Sequence, residues 1–363
     1  MNAIAANRRH ETVARRLITD RVDATSQGPI NEICRRSSGR LGGTIGYETG
    51  ATVSMPSEDR HLVPITNQEG ANFIASVVSV CNEHMLRENL TRLSLRTIVS
   101  ENALHLVQEA IENAGAQIEG KMPIGEGFFI VYLGHNVGTR QMTEDALSDL
   151  RRAADVKASK GRQTSEIQRV LSTLETNGEF TYAVYDNKNT FVPPADLNRI
   201  EELMQTFEYS DIAAKRNATS TDNTIALAYG SDGSVVGMAV IENLTIILSE
   251  GRVLHTAELT DFIVEENNRK NKISYIMAAM LLNRVFSGNM HSGYYSVFAE
   301  SNISNHILTS FSMLGGEVAG VLPNSINVVE NGESRMENFA ITCFNRDEVE
   351  KSHLSQILAA MRH

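Results

Sequence analysis

Between Val253 and Val285 the chain reads as a strand, a charged turn and an apolar helix with almost nothing between them. Val253–Val264 carries the strand pattern, Glu265–Asn268 is acidic and amide-rich, and Ile273–Val285 is a Met, Ala and Leu helix. A strand that runs straight into a helix N-terminus leaves the first-turn N–H groups without intrahelical partners. They lie at the positive end of the helix dipole, and together they make an anion site. Arg269, Lys270 and Lys272 add cationic charge to the same turn. A diphosphate-bearing cofactor is the natural ligand for that combination.

The elements around this unit set the fold class. Thr181–Tyr185 reads as a strand, Pro193 and Pro194 precede a helix from Ala195 to about Phe207, and Thr224–Tyr229 and Val235–Leu248 read as strands. Ser231, Asp232 and Gly233 join the last two as a hairpin turn. After the central helix come a strand at Tyr294–Ala299, a helix at Ile303–Leu314 ending on Gly315, and strands at Glu317–Val321 and Asn338–Phe344. The order is β-α-β-β-β-α-β-α-β-β, an α/β (α+β) domain over residues 178–345.

Upstream the character differs. Residues 1–50 are Arg-rich and then Gly-rich, and residues 51–177 read as an α-rich α/β domain. Apolar residues at helical spacing run from Gln68 to Ala114, with Phe73, Val77, Val80, Leu95, Ile98, Val99, Leu106 and Ile111 on the face. Phe128–Leu133 is a short apolar run rich in β formers and is expected to be a buried strand. Two charged helices, about Thr143–Val156 and Ser165–Glu175, lead to the boundary at Asn177 and Gly178. Residues 346–363 finish as one amphipathic helix. No internal repeat is evident along the chain.

Several motifs fall away on their context. Gly115, Gly120 and Lys121 match the spacing of a phosphate-binding P-loop, but Met122 stands where a magnesium-ligating hydroxyl belongs and a helix precedes the motif. Glu109, Asn113 and Gly134–Gly138 faintly resemble the ATP site of histidine-kinase-like ATPases, without its aspartate or its glycine spacing. The 10 histidines form no HxxxH or HxH pair and the 3 cysteines (Cys34, Cys81 and Cys343) lie far apart, so no metal is expected and reduced thiols are. The net charge of −11 disfavours nucleic acid, which calls for a basic face. Arg8, Arg9, Arg15 and Arg16 break every candidate leader, and no run is long enough to span a membrane. A cytoplasmic setting is expected.

The strand-turn-helix unit resembles the GCN5-related N-acetyltransferase superfamily. In that family the fourth strand leads to an R/Q-x-x-G-x-G/A loop around the CoA pyrophosphate. Arg269 takes the first position of that motif, and its two glycine positions fall on Lys272 and Ser274. Within the superfamily the chain is most similar to the β-lysine N-acetyltransferases. Four segments carry that likeness in the right order: Glu258–Val264, Thr309–Gly316, Gly320–Asn324 and Glu333–Asn338. The third of these corresponds to a turn in that family and the fourth to the start of the last strand. The resemblance implies a mixed, mostly antiparallel sheet flanked by helices. It leaves residues 51–177 unassigned, with a degenerate second copy of the fold as one option.

The resemblance also implies a chemistry, direct attack of an amine on an acyl thioester. Acetyl-CoA or another acyl-CoA is the co-substrate. Phe262, Ile263 and Val264 fall on the strand that pairs with pantetheine, and Arg269, Lys270, Asn271, Lys272, Ile273 and Ser274 fall on the pyrophosphate loop. Glu258 lies where family members carry a carboxylate, as general base or as a binder of a cationic acceptor; pairing with an arginine is the bland alternative. Asp261, Asn324 and Asn338 are expected to bind the small-molecule amine. The tyrosine that protonates the departing thiolate is replaced by Phe311, and Tyr275 is one substitute for it. An acyl carrier protein as donor, a non-catalytic sensor or scaffold, and a homodimer stay open.

Overall fold

The computed structural model describes residues 44–48, 64–87, 92–136, 144–159, 164–165, 167–172, 180–187, 189–206, 218–221, 223–247, 253–286, 294–303, 307–330 and 333–360. The N-terminal half contributes β1 (Thr44–Glu48), α1 (Gln68–Arg87), β2 (Arg92–Ser100) and α2 (Leu104–Asn113). The hairpin β3 (Gln117–Gly125) and β4 (Phe128–Asn136) follows, and then α3 (Glu144–Ala158). The C-terminal half begins with β5 (Thr181–Asp186), α4 (Pro194–Thr206), β6 (Asn223–Tyr229) and β7 (Val235–Ile247). It continues with β8 (Val253–Val264), α5 (Ile273–Phe286), β9 (Tyr294–Asn302) and α6 (Ile307–Met313). The strands β10 (Glu317–Glu330) and β11 (Glu333–Asn345) precede α7 (Arg346–Lys351) and α8 (Leu354–Ala360).

The described strands form one eleven-stranded sheet in the order β1-β2-β4-β3-β10-β11-β9-β8-β7-β6-β5. Only the β1–β2 and β8–β9 neighbours run parallel. This is the mixed, mostly antiparallel sheet expected for residues 178–345. Alternation explains how β6 and β7 are buried on both faces. Ala226, Ala228, Ala239 and Ile241 meet α5, and Ile225, Leu227, Met238 and Val240 meet Ile200, Leu203 and Met204 of α4. Helix α5 is apolar over most of its circumference, with Ser274, Asn283 and Arg284 as its polar residues, as suits a helix clamped between a sheet and α8.

One expectation for the N-terminal half is corrected. The stretch from Gln68 to Ala114 is not continuously helical, because β2 separates α1 from α2. Leu93 and Leu95 alternate with Ser94 and Arg96, and Thr97, Ile98 and Val99 are β-branched, so a period of two competes with the helical one and wins. The half is an α-rich α/β unit, with α1, α2 and α3 beside the strands β1 to β4 that it supplies to the sheet. The single C-terminal helix is also two: α7, capped by the Asn345 side chain accepting from the Glu348 N–H at 3.0 Å, and α8 beyond a break at Ser352. The P-loop-like residues Gln117–Lys121 lie in β3.

The two halves repeat one arrangement. The neighbours β1-β2-β4-β3 have the same order and senses as β8-β9-β11-β10, and each set is threaded by two helices in the same chain order. Gly115, Gly120 and Pro123 recur two hundred positions later as Gly315, Gly320 and Pro323. Gly115 and Gly315 follow α2 and α6 with φ of 86° and 88°. Each hairpin carries a register shift at the same place, between Ile118 and Gly120 in one and between Val318 and Gly320 in the other. The repeat that the sequence concealed is thus present in the chain's path.

The halves meet where β3 crosses β10 at the pair Gly120–Gly320. A Cβ on Gly320 would lie 2.4 Å from the Gly120 Cα, so the crossing requires glycine on both strands. Beyond it the N-terminal half covers one face of the C-terminal half. Ile98, Met122, Ile124, Ile130 and Tyr132 share a core with Leu244, Leu254, Phe298, Leu322, Ile341 and Cys343. The Ser296 hydroxyl donates to the Pro123 carbonyl at 2.8 Å across the same junction.

Candidate functional site

Strands β8 and β9 are paired only from His255–Tyr294 to Glu258–Phe298. Past that point β8 runs on to Val264 against β7, and β9 runs on to Asn302 against β11. Each strand is held from its outer side, so the two part and leave a gap between their facing edges. Opposite the gap β8 carries a bulge: Thr260 pairs with Val240 and Ile263 with Met238, so Asp261 and Phe262 face Ala239 alone. Asp261 is buried with φ of 53°, a left-handed conformation that lets the strand swell there. This interrupts the simple alternation that would put Asp261 opposite Glu258.

The turn after β8 is tied down at both ends. The Glu265 N–H donates to the Val236 carbonyl at 2.9 Å, and the Glu265 carboxylate accepts from Arg199 of α4 and from the Asn268 amide. Glu266–Asn271 forms a tight 3₁₀ turn, and the Arg269 Nε–H donates to the Val264 carbonyl at 3.3 Å. Lys272 then adopts φ 58° and ψ 16°. Glycine adopts this conformation without strain, and here a lysine holds it. Ser274 lies in the first turn of α5, half-buried. Gly237 of β7 lies under that turn, where a Cβ would meet Ile273 at 3.1 Å.

Glu258 stands at the last β8–β9 pair, on the face turned away from α5. Its carboxylate accepts from the Arg96 guanidinium at 2.8 Å. Arg96 also lies 3.5 Å from the Glu300 carboxylate and over the Phe298 ring, 5.4 Å from its centroid. Glu242 is directly across from Glu258 on β7 and shares its face. The buried Tyr132 hydroxyl completes the cluster. Burial, and then the carboxylates of Glu300 and Glu258 against the pull of Arg96, hold it well above its ordinary range, so it is a neutral phenol. Arg96, Tyr132, Glu242 and Glu300 were not singled out from the sequence. Arg96 carries no sharp signal in the sequence: it shares its strand face with Arg92, Ser94 and Ser100 as well as Ile98 and so reads as one more polar residue on a polar face.

The other side of the gap is lined by α6. Phe311 is buried between Phe262 of β8, at 5.6 Å between centroids, and Phe344 of β11, at 5.3 Å edge-on. Its ring has no proton to give. Tyr275 is buried in α5 and burial raises its hydroxyl far above the ordinary value; that hydroxyl finds no partner among the described residues. The Ser301 hydroxyl, on β9 beyond the parting, is likewise buried and without a partner among the described residues. The structure thus brings Glu258, Asp261, Phe262, Ile263 and Val264 together on β8, with Arg269 to Ser274 on its continuation. Asn324 and Asn338 lie on β10 and β11, with β9 between them and β8. Asn324 falls in an irregular stretch of β10 rather than in a turn, and Asn338 is buried with its carbonyl accepting from the Ile303 N–H at 2.9 Å. Among the described residues no His, Cys, Asp and Glu cluster suits a metal ion, and no helix is long and apolar enough to cross a membrane.

No family model and no curated protein matches this sequence. Solved structures similar to part of the chain include the ribosomal-protein-S18-alanine N-acetyltransferase from Escherichia coli, at 14% identity over 46% of this chain and 94% of that one, with a TM-score of 0.35. A GCN5-related N-acetyltransferase from Kribbella flavida is similar at 15% identity over 45% of this chain and 97% of that one, TM-score 0.35. A phosphinothricin acetyltransferase from Sinorhizobium meliloti, in complex with AcCoA, is similar at 16% identity over 46% and 88%, TM-score 0.35.

Proposed function

We propose that this chain is an N-acyltransferase that moves an acyl group, acetyl in the first instance, from acyl-CoA to the amine of a small molecule such as an amino acid or diamino acid. One observation carries the reading: β8 parts from β9 immediately after Glu258 and then runs into a cationic turn and the start of α5. The free edge of β8 suits an extended amide-bearing arm, which pairs with a strand as another strand does. The α5 N-terminus with Arg269, Lys270 and Lys272 suits its diphosphate. The left-handed Lys272 and the unpartnered Ser301 hydroxyl fit such a ligand as well. The diamino-acid class of acceptor rests on the four segments similar to β-lysine N-acetyltransferases.

In the reaction proposed, the deprotonated amine attacks the thioester carbonyl from the Glu258 side. The carbon–nitrogen bond forms as the carbon–sulfur bond breaks, the amine proton passes to the Glu258 carboxylate directly or through water, and the thiolate leaves with CoA. The negative charge on the tetrahedral oxygen calls for N–H donors on the bulged edge of β8. A second role for Glu258, holding a cationic acceptor rather than taking its proton, is favoured by one observation: Arg96 already donates to the same carboxylate. We propose also that the N-terminal domain is a reduced second copy of the acyltransferase half, kept for what it adds to the shared junction.

The test is release of free thiol from acetyl-CoA with L-lysine, L-ornithine, putrescine and neutral amino acids as acceptors, beside acetyl-CoA binding by calorimetry. Turnover is expected, with Arg269→Ala raising the KM for acetyl-CoA about tenfold, the loss of one charge-assisted contact. Glu258→Gln is expected to lower kcat about a hundredfold. A protein that neither binds acetyl-CoA nor releases thiol with any amine would end the proposal. Binding without turnover would leave the sensor alternative.

A further inference from the structure

Arg96 comes from the half of the chain that carries none of the proposed acyl-CoA contacts, and it reaches the acceptor side of the site. We infer that Arg96 is a positioning residue for acyl transfer, setting the Glu258 carboxylate at the mouth of the gap. The inference rests on the acyltransferase reading above and extends it to the N-terminal half.

Three observations carry it. Glu258, Glu242 and Glu300 lie on one face of three adjacent strands, where carboxylates repel one another and would otherwise turn away. The guanidinium contacts two of them, Glu258 at 2.8 Å and Glu300 at 3.5 Å. Its plane is steadied by Phe298, which is itself the residue paired with Glu258 at the last step before the strands part. Arg96 and Glu258 are each about one-sixth exposed, so the pair is shielded yet reachable from the gap. A fork-shaped donor with two carboxylates and a ring around it has little freedom, and Glu258 inherits that rigidity.

Removing the guanidinium should therefore displace the carboxylate without touching the cofactor contacts, and a displacement of about 1 Å in a reacting group costs on the order of a hundredfold in rate. The experiment compares wild type, Arg96→Lys and Arg96→Met using acetyl-CoA with L-lysine, L-ornithine or putrescine, together with calorimetric acetyl-CoA affinity and thermal midpoints. Arg96→Met is expected to lose about a hundredfold in kcat with acetyl-CoA affinity within about twofold of wild type, and Arg96→Lys to recover at least about tenfold of that loss. A wild-type kcat in Arg96→Met overturns the inference and leaves the acyltransferase reading standing. Equal losses in both variants, tracking a fall in thermal midpoint or in acetyl-CoA affinity, overturn it too, because they describe support of the fold alone. A wild type that neither binds nor turns over acetyl-CoA overturns both.

Discussion

The two halves place β1-β2-β4-β3 and β8-β9-β11-β10 in the same order with the same senses, yet only one of them holds a candidate site. The difference lies in what surrounds the parallel pair. In the C-terminal half, β8 is anchored on its far side by β7 and is free to part from β9 and bulge at Asp261. In the N-terminal half, β1 is the last described strand of the sheet and is paired with β2 along its whole length, from Thr44–Arg92 to Glu48–Arg96. A gap between strands needs two walls that are each held from outside, and among the described residues only the C-terminal half supplies both. The N-terminal half supplies a cover and one arginine.

The largest effect should come from separating the halves. Residues 178–363 expressed alone would expose Leu244, Leu254, Phe298, Leu322 and Ile341, now buried against Ile98, Met122 and Ile130. At ~1.5–3 kcal/mol for each fully buried side chain, that loss is comparable to the whole stability of an ordinary domain. We expect aggregated or unfolded material by size exclusion and circular dichroism; a soluble, cooperatively folded fragment would break the comparison by making the N-terminal half dispensable.

Next in size is the crossing. Gly320→Ala should cost about 3 kcal/mol in denaturant unfolding because its Cβ would meet the Gly120 backbone, whereas Gly233→Ala, left-handed but with open space around it, should cost about 1 kcal/mol. The helix ends sharpen the comparison further. Gly115 and Gly315 share one conformation, so alanine adds about 1–2 kcal/mol of backbone strain at each. At Gly315 the Cβ would also lie 2.6 Å from the Glu348 carbonyl of α7, against 3.5 Å from the Asn82 side chain at Gly115. Gly315→Ala should therefore be the costlier by about 2 kcal/mol. Equal costs would mean that α7 shifts freely.

Smaller effects belong to single groups. Lys272→Gly should stabilise the chain by about 0.5–1 kcal/mol by relieving the left-handed lysine, less the entropy that glycine adds to the unfolded chain. Cys343 lies in the shared core, where burial and then Glu317 push its thiol up to about 12. A raised value favours the neutral thiol in the folded state, so its contribution is intact below the ordinary value near 9 and is lost as the pH climbs from there toward 12. Peptide mass spectrometry after iodoacetamide at pH 8 should find Cys343 unlabelled in the native chain and labelled in denaturant.

Much of the C-terminal half could be read from residues because its signals are local. Val253–Val264 and the α5 helix were legible from their ends and their apolar content, and both appear with those bounds to within a residue. The strand β2 was missed because Leu95, Ile98 and Val99 satisfy helical spacing while Leu93, Leu95 and Val99 also alternate, and the β-branched run Thr97–Val99 is too short a local signal to outweigh the helical pattern around it. The repeat was hidden for a related reason. Its surviving marks, Gly115, Gly120 and Pro123 against Gly315, Gly320 and Pro323, are backbone requirements, while the side chains between them have diverged with their separate surroundings. The ion pair of Arg96 and Glu258 links positions far apart in the chain, and no spacing rule reaches across that distance.

The register of the two hairpins has a consequence for how such a molecule can evolve. Gly120 pairs with Tyr132 and Tyr132 with Arg96; Gly320 pairs with Ile341 and Ile341 with Glu300. Arg96 and Glu300 thus hold corresponding places, and they face each other across the Gly120–Gly320 crossing. In a dimer of identical chains, symmetry would set like against like at those places, arginine on arginine or glutamate on glutamate. Carrying both halves in one polypeptide lifts that constraint, so each side of the axis can change its charge independently of the other.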